Sequence, residues 1–232
     1  KAQIIIMKLY AMPRSGNCYK VAWLLSMLGK PFQVIPVNIL KGETKTPSYL
    51  SMNPNGQVPL LEIEESNDVF HLAESNAILL YLAECFGNTD DDDDDDKKCN
   101  PSYLPSDPKQ RALVYQWLFF EQYSHEPTIA VRRAQCIFPS RQPRCSPERM
   151  QDLLDGGNKA LQIMQGQLTK TPFLTGGDFT IADLCLYAYT HVAHEGGFDF
   201  EQFPAIVEWM KRIEEMPGYV AMDDLLDRKS IM

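Results

Sequence analysis

The first 37 residues alternate between apolar runs typical of strands and apolar residues at helical spacing. Residues 3–10 are apolar and β-branched, which predicts a strand. Apolar residues between Val21 and Leu28 then recur with a helical period, and Gly29 is placed to end that helix. Residues 32–37 form a second short apolar run, so the segment predicts a β-α-β unit.

The next apolar runs predict a hairpin followed by a helix. Leu60–Ile63 and Val69–Leu72 flank a polar stretch, the pattern of two antiparallel strands joined by a short loop. Helical spacing returns over residues 75–85, and Gly87 follows as a stop signal. Together with the preceding unit, this order predicts an α/β domain over residues 1–87, with a mixed sheet and helices on its faces.

The second half of the chain keeps the helical pattern and loses the strand pattern. From Pro108 onward, this predicts an all-helical domain over residues 108–232. We expect a long helix from Pro108, bent at Pro127, and further helices over residues 147–168, 180–194, 203–215 and 219–226. Thr180 and Asp183 are spaced to cap each other reciprocally, with Phe179 packing against Leu184, which we interpret as a folding signature.

An acidic linker separates the two predicted domains. Residues 88–107 combine turn formers with the consecutive aspartates Asp90–Asp96, whose mutual repulsion resists packing. The run carries seven negative charges of a net −9, which leaves −2 for the rest of the chain. Neither value favours nucleic acid or an anionic membrane as a partner. The sequence also lacks the apolar span of about 18 residues that predicts a transmembrane helix.

The six cysteines are scattered and form no Cys-x-x-Cys pair. In a chain of this length, such spacing favours reduced thiols in the cytoplasm over a disulfide scaffold. No cluster of histidines, cysteines and carboxylates has metal-ligand spacing, so we expect no metal site.

Two motifs predict a site for a small acidic peptide. Val58-Pro59 opens a strand, and a proline there marks a special bend, often a cis bond. Such a bend would turn the backbone N–H and C=O of Val58 outward to pair with a peptide-like ligand. Ser75 is a good N-cap for the next helix, whose free N–H groups form an anion site.

A third motif, Ser15-Gly16-Asn17, follows the first predicted strand and completes a resemblance. Taken in chain order, with Ser15 first, Val58-Pro59 second and Ser75 third, the three motifs resemble the glutathione site of serine-type soluble glutathione S-transferases of bacteria, fungi and plants. The resemblance implies a thioredoxin-like first domain, in which Ser15 donates to the glutathione sulfur and Asn17 supports the site. Lowering the pKa of a thiol by about 2 units from about 8.5 requires roughly 2.7 kcal/mol, within reach of a hydroxyl donor and a helix N-terminus.

Other interpretations of this segment stay open. Ser15 is also placed to act only as the cap of the first helix. Tyr10 is an alternative donor, as in tyrosine-type classes, although it ends an apolar strand. Cys18 is a candidate for a mixed disulfide with glutathione, as in cysteine-type relatives. Arg14 either steadies anionic intermediates or faces water.

The resemblance carries over six further residues to the glutathione site: Lys45, Gln57, Val58, Pro59, Glu74 and Ser75. Lys45 and Gln57 match residues that contact the glycine end of glutathione. Glu74 and Ser75 match the pair that holds the γ-glutamyl ammonium and carboxylate. Thr44 stands where many relatives have histidine, so that contact is missing or weaker here.

The second substrate is expected to bind in a pocket between the domains. The candidates are apolar groups near the Ser15 turn or on the first C-terminal helix: Met12, Pro13, Tyr115, Phe119 and Tyr123. Because aromatic residues at helical spacing are often part of the core, we expect only some of the five to line the pocket.

The function implied by the resemblance is conjugation of the glutathione thiolate to small, mostly apolar electrophiles, a detoxification reaction. Glutathione would be a co-substrate, with no cofactor, and the protein would be a cytoplasmic homodimer. The alternatives are a glutathione-dependent disulfide reductase or peroxidase, and a non-catalytic ligand-binding protein of the same fold.

Overall fold

The computed structural model describes residues 5–65, 68–87, 103–141 and 143–226. Within these residues the chain forms two compact units. One holds the described residues up to Gly87 together with 218–226, and the other holds Tyr103–Pro217. The predicted acidic run Asp90–Asp96 lies outside the described residues, so its character stays a prediction.

The N-terminal unit is built on one mixed four-stranded sheet with the order β2-β1-β3-β4. The strands are β1 (Ile5–Ala11), β2 (Gln33–Pro36), β3 (Leu60–Glu65) and β4 (Asp68–Ala73). β1 pairs in parallel with β2 and antiparallel with β3, and β4 closes the predicted hairpin on β3. The mixed sheet expected from the sequence is therefore confirmed.

Three helices follow strands of this unit, and the first and third form where the sequence predicts them. They are α1 (Gly16–Met27), α2 (Pro47–Met52) and α3 (Ser75–Phe86), and two short 3₁₀ turns at Ile39–Lys41 and Glu43–Lys45 precede α2. Side chains alternate along β1, so that Met7 and Leu9 are buried while Ile6 is exposed. Gly29 follows α1 with a φ of 61° and ends it as predicted.

The segment 218–226 packs on α1, although the sequence assigns it to the helical domain. The indole Nε1 of Trp23 donates to the carbonyl of Gly218 at 3.1 Å, and the Tyr19 hydroxyl donates to that of Val220 at 2.7 Å. The short helix α9 (Met222–Leu226) then lies against α1. The first unit is thus built from two separate stretches of chain. The predicted domain boundaries otherwise stay predictions.

The second unit is built from helices and the loops that join them, with an isolated β-bridge between Phe173 and Gly176. Its helices are α4 (Pro108–Phe120), α5 (Glu126–Ile137), α6 (Pro147–Leu168), α7 (Ile181–Thr190) and α8 (Pro204–Glu214). A π-helical segment, Glu121–His125, joins α4 to α5. Pro127 lies in the first turn of α5, where a missing N–H is tolerated, so the irregularity precedes the proline at which a bend was predicted. No helix among the described residues has both the length and the apolarity needed to cross a membrane.

The predicted capping box at the start of α7 is confirmed and forms a buried hub. Asp183 is fully buried and accepts from the backbone N–H and hydroxyl of Thr180, at 3.1 and 3.2 Å. It also accepts from the N–H of Leu174 at 2.8 Å and from the indole of Trp209 at 3.0 Å. Burial raises the pKa of Asp183 to about 6 and the four donors oppose that rise, so the carboxylate is ionised at neutral pH.

A glycine in α6 allows close packing, which leads to a stability prediction. A Cβ on Gly157 would overlap the ring of Phe198 and lie 3.1 Å from Cγ1 of Ile129. We expect Gly157→Ala to lower the free energy of unfolding by about 1–3 kcal/mol, because overpacking displaces a buried ring. Urea unfolding followed by circular dichroism measures the change.

Gly166, in the same helix, provides the matched control. A Cβ there meets nothing within 4 Å. Gly166→Ala should therefore raise the free energy of unfolding by about 0.5–1 kcal/mol through helix propensity alone. Equal effects of the two substitutions would contradict the packing argument.

Candidate active site

Ser15 lies at the junction between β1 and α1, as the N-cap of the helix. Its φ and ψ are −84° and 115°, and its hydroxyl oxygen accepts from the backbone N–H of Cys18 at 3.3 Å. Ser15 therefore does cap the first helix. The cap leaves the donor role open, because a hydroxyl that accepts from an N–H still has its own proton to donate. An acceptor near Ser15 would also face the positive end of α1.

Cys18 is placed poorly for chemistry. It is fully buried, and its sulfur accepts from the backbone N–H of Met12 at 3.5 Å. Burial raises the pKa of the Cys18 thiol to about 11, against smaller opposing effects from its hydrogen bonds to Ser15 and Met12. A buried thiol that stays protonated is a weak nucleophile, so the geometry disfavours the mixed-disulfide alternative.

Tyr10 is engaged on the surface of the sheet. Its hydroxyl donates to Oε2 of Glu62 at 2.9 Å, and the same carboxylate accepts from Lys8 at 2.6 Å and lies 3.2 Å from Nε2 of His71. Burial and the contact with Glu62 both raise the pKa of Tyr10. For Glu62, burial raises the pKa, but the three hydrogen bonds outweigh it and the net shift is downward. The Tyr10 hydroxyl is thus held by a carboxylate, which disfavours the tyrosine-type alternative.

Asn17 connects the Ser15 turn to the start of α3. The buried hydroxyl of Ser75 donates to Oδ1 of Asn17 at 3.3 Å. A second contact lies further along the two helices, where Lys20 is fully buried in α1 and donates to Oδ1 of Asn76 at 2.8 Å. Asn17 and Ser75, 58 positions apart in the chain, are therefore hydrogen-bonded to each other. They belong to the two segments in which the sequence predicts parts of one site.

The start of α3 differs from the prediction in one detail. Ser75 is the first helical residue, and Glu74 is the N-cap, with φ 65° and no side-chain capping bond. The prediction that Ser75 is the N-cap is therefore wrong. The first N–H groups of α3 have no side-chain cap, which preserves the predicted anion site. A positive φ is unusual for a residue other than glycine, and the side chain of Glu74 is exposed.

The loop before β3 carries the predicted peptide-pairing edge. The Val58–Pro59 bond is cis, as expected from the sequence. The carbonyl of Gln57 accepts from the hydroxyl of Tyr49 at 2.7 Å and from Nδ2 of Asn53 at 2.9 Å. The side chain of Gln57 is exposed, and Val58 is half-buried.

Lys45 and Asn55 complete the described surroundings of this loop. Lys45 is exposed, and its Nζ donates to the carbonyl of Asn55 at 3.1 Å. Nδ2 of Asn55 reaches Oε1 of Glu74 at 3.5 Å. Thr44 is buried. Gly56 has a φ of 60°, and a Cβ there would lie 2.6 Å from Nζ of Lys45, so only glycine fits without displacing the lysine.

Sequence reasoning missed four residues of this arrangement: Tyr49, Asn53, Asn55 and Lys20. The first three lie in or beside an Asn-Pro-Asn-Gly stretch that signals a turn, but their partners are set by tertiary contacts. A lysine among the apolar residues of α1 could have drawn attention to Lys20, because lysine is rarely buried without a partner.

The candidates for the second-substrate pocket divide between the two units. Met12 is buried and Pro13 exposed, both next to the Ser15 turn. In the helical unit, Tyr115 is half-buried, while Phe119 and Tyr123 are 73% and 88% exposed. Large aromatic side chains that are this exposed do not belong to a core. The pocket itself stays a prediction.

A metal centre finds no support in the part of the chain that the structure describes. No group of three or more histidine, cysteine, aspartate or glutamate side chains is arranged there to hold an ion.

Comparison with known proteins places these features in a family. Residues 6–84 match the family model "Glutathione S-transferase, N-terminal domain", and residues 134–217 match "Glutathione S-transferase, C-terminal domain". A glutathione S-transferase structure from Pseudomonas fluorescens is 44% identical, with a TM-score of 0.80 over 93% of this chain and 98% of that one. Glutathione S-transferase F13 of Arabidopsis thaliana is 32% identical over 92% of this chain and 93% of its own length. The disulfide-bond oxidoreductase YfcG of Escherichia coli is 24% identical over 90% of this chain and 91% of its own length.

Proposed function

The chain belongs to the glutathione S-transferase family and is a glutathione transferase, and from this premise we propose that Ser15 holds the reactive sulfur of glutathione as a thiolate. The thiolate attacks an electrophilic carbon, a sulfur–carbon bond forms, and the leaving group departs with the bonding electron pair. Ser15 and the positive end of α1 stabilise the anion before the attack.

The observation that carries this proposal is the hydrogen bond from Ser75 to Asn17, at 3.3 Å. It joins the turn that holds the sulfur-binding hydroxyl to the helix start that binds the γ-glutamyl carboxylate. Asn17 acts as the support between them. The exposed carboxylate of Glu74 faces the γ-glutamyl ammonium, and the N–H groups of α3 donate hydrogen bonds to the neighbouring carboxylate.

The loop before β3 binds the rest of the glutathione tripeptide. The backbone of Val58, in front of Pro59, pairs with the cysteinyl unit of glutathione, as an added strand pairs with a sheet edge. Lys45 and the exposed side chain of Gln57 take the glycine carboxylate at the other end. The glutathione site then extends from Lys45 to Glu74 with Ser15 opposite its centre.

The second substrate proposed here is a small, mostly apolar electrophile bound near Met12 and Pro13, with Tyr115, Phe119 and Tyr123 as candidates on the helical unit. Glutathione is a co-substrate, and we propose that no resident cofactor takes part. We also propose that the protein works in the cytoplasm as a homodimer, as is usual for the family.

Disulfide reduction is the second candidate function, favoured by the likeness to the Escherichia coli oxidoreductase. With Cys18 buried and its pKa raised to about 11, no thiol of this site would take part. A glutathione thiolate held by Ser15 would attack the substrate disulfide, and a second glutathione would resolve the mixed disulfide.

Calorimetry with glutathione, combined with two turnover assays, tests the proposal. One assay uses an aryl halide as the electrophile and the other a mixed disulfide of glutathione. We expect glutathione to bind and the halide to be conjugated. Turnover of the disulfide alone would replace conjugation by the redox function, and binding without turnover would point to a ligand-binding protein.

A further inference from the structure

The carbonyl of Gln57 is held from the interior by two side chains at once. The hydroxyl of Tyr49 donates to it at 2.7 Å, and Nδ2 of Asn53 donates at 2.9 Å. The two donors are nearly inaccessible to solvent, with 4% and 3% of Tyr49 and Asn53 exposed. The side chain of Gln57 is exposed to solvent, so Tyr49 and Asn53 hold this residue through its backbone carbonyl.

The position of Tyr49 is fixed by its own surroundings. It lies in α2, and its ring packs in a cluster with Val37 and Leu60. The ring also meets Tyr10 edge-on, with the two ring centres 6.0 Å apart. Burial raises the pKa of Tyr49 well above its ordinary value, so the hydroxyl stays protonated and remains a donor at any working pH.

The orientation of this carbonyl decides the direction of the next N–H. The C=O of Gln57 and the N–H of Val58 belong to one planar peptide unit, in which the two groups point in opposite directions when the bond is trans. The cis bond of this loop is the following one, between Val58 and Pro59. Donors that pull the Gln57 carbonyl toward the interior therefore direct the Val58 N–H outward.

We propose that Tyr49 and Asn53 are positioning residues for glutathione, which hold the peptide unit between Gln57 and Val58 in the orientation that receives the tripeptide. The inference rests on the proposed glutathione site and adds two residues that do not touch the ligand. Without the two donors, this peptide unit can rotate, and its N–H must be ordered again each time glutathione binds.

Tyr49→Phe tests the role, with Tyr10→Phe as the matched control. Both changes remove one tyrosine hydroxyl from the same cluster and keep the ring. The Tyr10 hydroxyl donates to Glu62, which keeps its bonds to Lys8 and His71, and it is not one of the two donors to the Gln57 carbonyl. Similar melting temperatures for the two variants establish that any difference in binding is local.

We expect Tyr49→Phe to raise the dissociation constant and the KM for glutathione about 5-fold, the effect of one neutral hydrogen bond. The kcat at saturating glutathione and the KM for the aryl halide should not change, because the sulfur site at Ser15 is intact. Tyr10→Phe should leave all four constants as in the native protein. Tyr49→Phe combined with Asn53→Ala should weaken glutathione binding by more than the product of the single effects, because the donor that remains in each single variant still restrains the carbonyl in part.

Three results would overturn the inference: equal glutathione affinity in Tyr49→Phe and Tyr10→Phe, a fall in kcat with an unchanged KM, or additive effects in the double variant. Each of them presupposes that the native protein binds glutathione. If the native protein does not bind glutathione, the proposed site fails as a whole. Calorimetry on the native protein shows this before any variant is compared.

Discussion

Ser15→Ala is expected to lower the rate of conjugation at pH 7 by about 25-fold, with glutathione still bound. The figure is the upper limit, reached if the Ser15 hydroxyl alone keeps the thiol pKa of bound glutathione about 2 units below its free value of about 8.5, since the thiolate fraction at pH 7 then falls from roughly three quarters to about 3%. Any part of the lowering that the start of α1 supplies remains in the variant. The same argument fixes the dependence on pH. At pH 9 nearly all of the thiol is ionised in the native protein and about three quarters of it in the variant, so the rates should agree within about 2-fold.

Stopped-flow kinetics with an aryl halide over this range gives the rates, and the ultraviolet absorbance of the thiolate gives the pKa of bound glutathione directly. Ser15→Thr keeps a hydroxyl and should retain most of the activity. A pH-independent loss in Ser15→Ala, or a thiol pKa unchanged from the native protein, would contradict the proposed role.

Loss of the helix cap needs its own control, because Ser15 also caps α1. Ser146 caps α6 with the same kind of hydrogen bond, accepting from the N–H three residues on, that of Arg149, at 3.2 Å, and lies in the other unit. Ser146→Ala should cost about 1 kcal/mol of stability, as a lost cap does, without a change in the pH profile of conjugation. A similar loss of stability in Ser15→Ala would then be separable from its effect on the thiol.

Asp183→Ala is expected to lower the free energy of unfolding by about 3–5 kcal/mol, the largest stability effect of the substitutions considered. The carboxylate accepts four hydrogen bonds, from Leu174, from Trp209 and twice from Thr180. Removing it leaves buried donors without an acceptor, at about 1–3 kcal/mol for each that finds no other partner. Urea unfolding followed by tryptophan fluorescence measures the loss.

Asp107 is the matched control for Asp183. It caps α4 by accepting from the N–H groups of Lys109 and Gln110, at 3.1 and 3.0 Å, but it is exposed. Water can replace it there, so Asp107→Ala should cost only about 1 kcal/mol. A comparable loss from both substitutions would show that burial is not what makes Asp183 important.

The elements of this fold were visible in the sequence because their patterns are local. The β-branched run of β1, the hairpin of β3 and β4, and the reciprocal cap of Thr180 and Asp183 all depend on residues a few positions apart. The same holds for the special bend at Pro59, which proline chemistry alone suggests.

What the sequence could not supply depends on contacts between distant residues. Serine is a common N-cap residue, but the hydroxyl of Ser75 donates to Asn17 instead of capping the helix. Ser75 is itself the first helical residue, so the helix begins one residue earlier than it would if Ser75 were the cap. The irregularity between α4 and α5 lies at Glu121–His125, where no proline or glycine marks it. Tyr49 carries no signal in the sequence beyond that of a buried aromatic residue.

The return of residues 218–226 to α1 affects how the protein is made. A ribosome releases the chain from its N-terminus, and a unit encoded by one continuous stretch can fold as soon as that stretch has emerged. Here the hydrogen-bond acceptors of Trp23 and Tyr19 are the carbonyls of Gly218 and Val220, which are synthesised only after the whole of Tyr103–Pro217. The first unit to be translated is therefore the last to be completed, and part of its α1 surface lacks its native contacts until residues 218–226 have been synthesised.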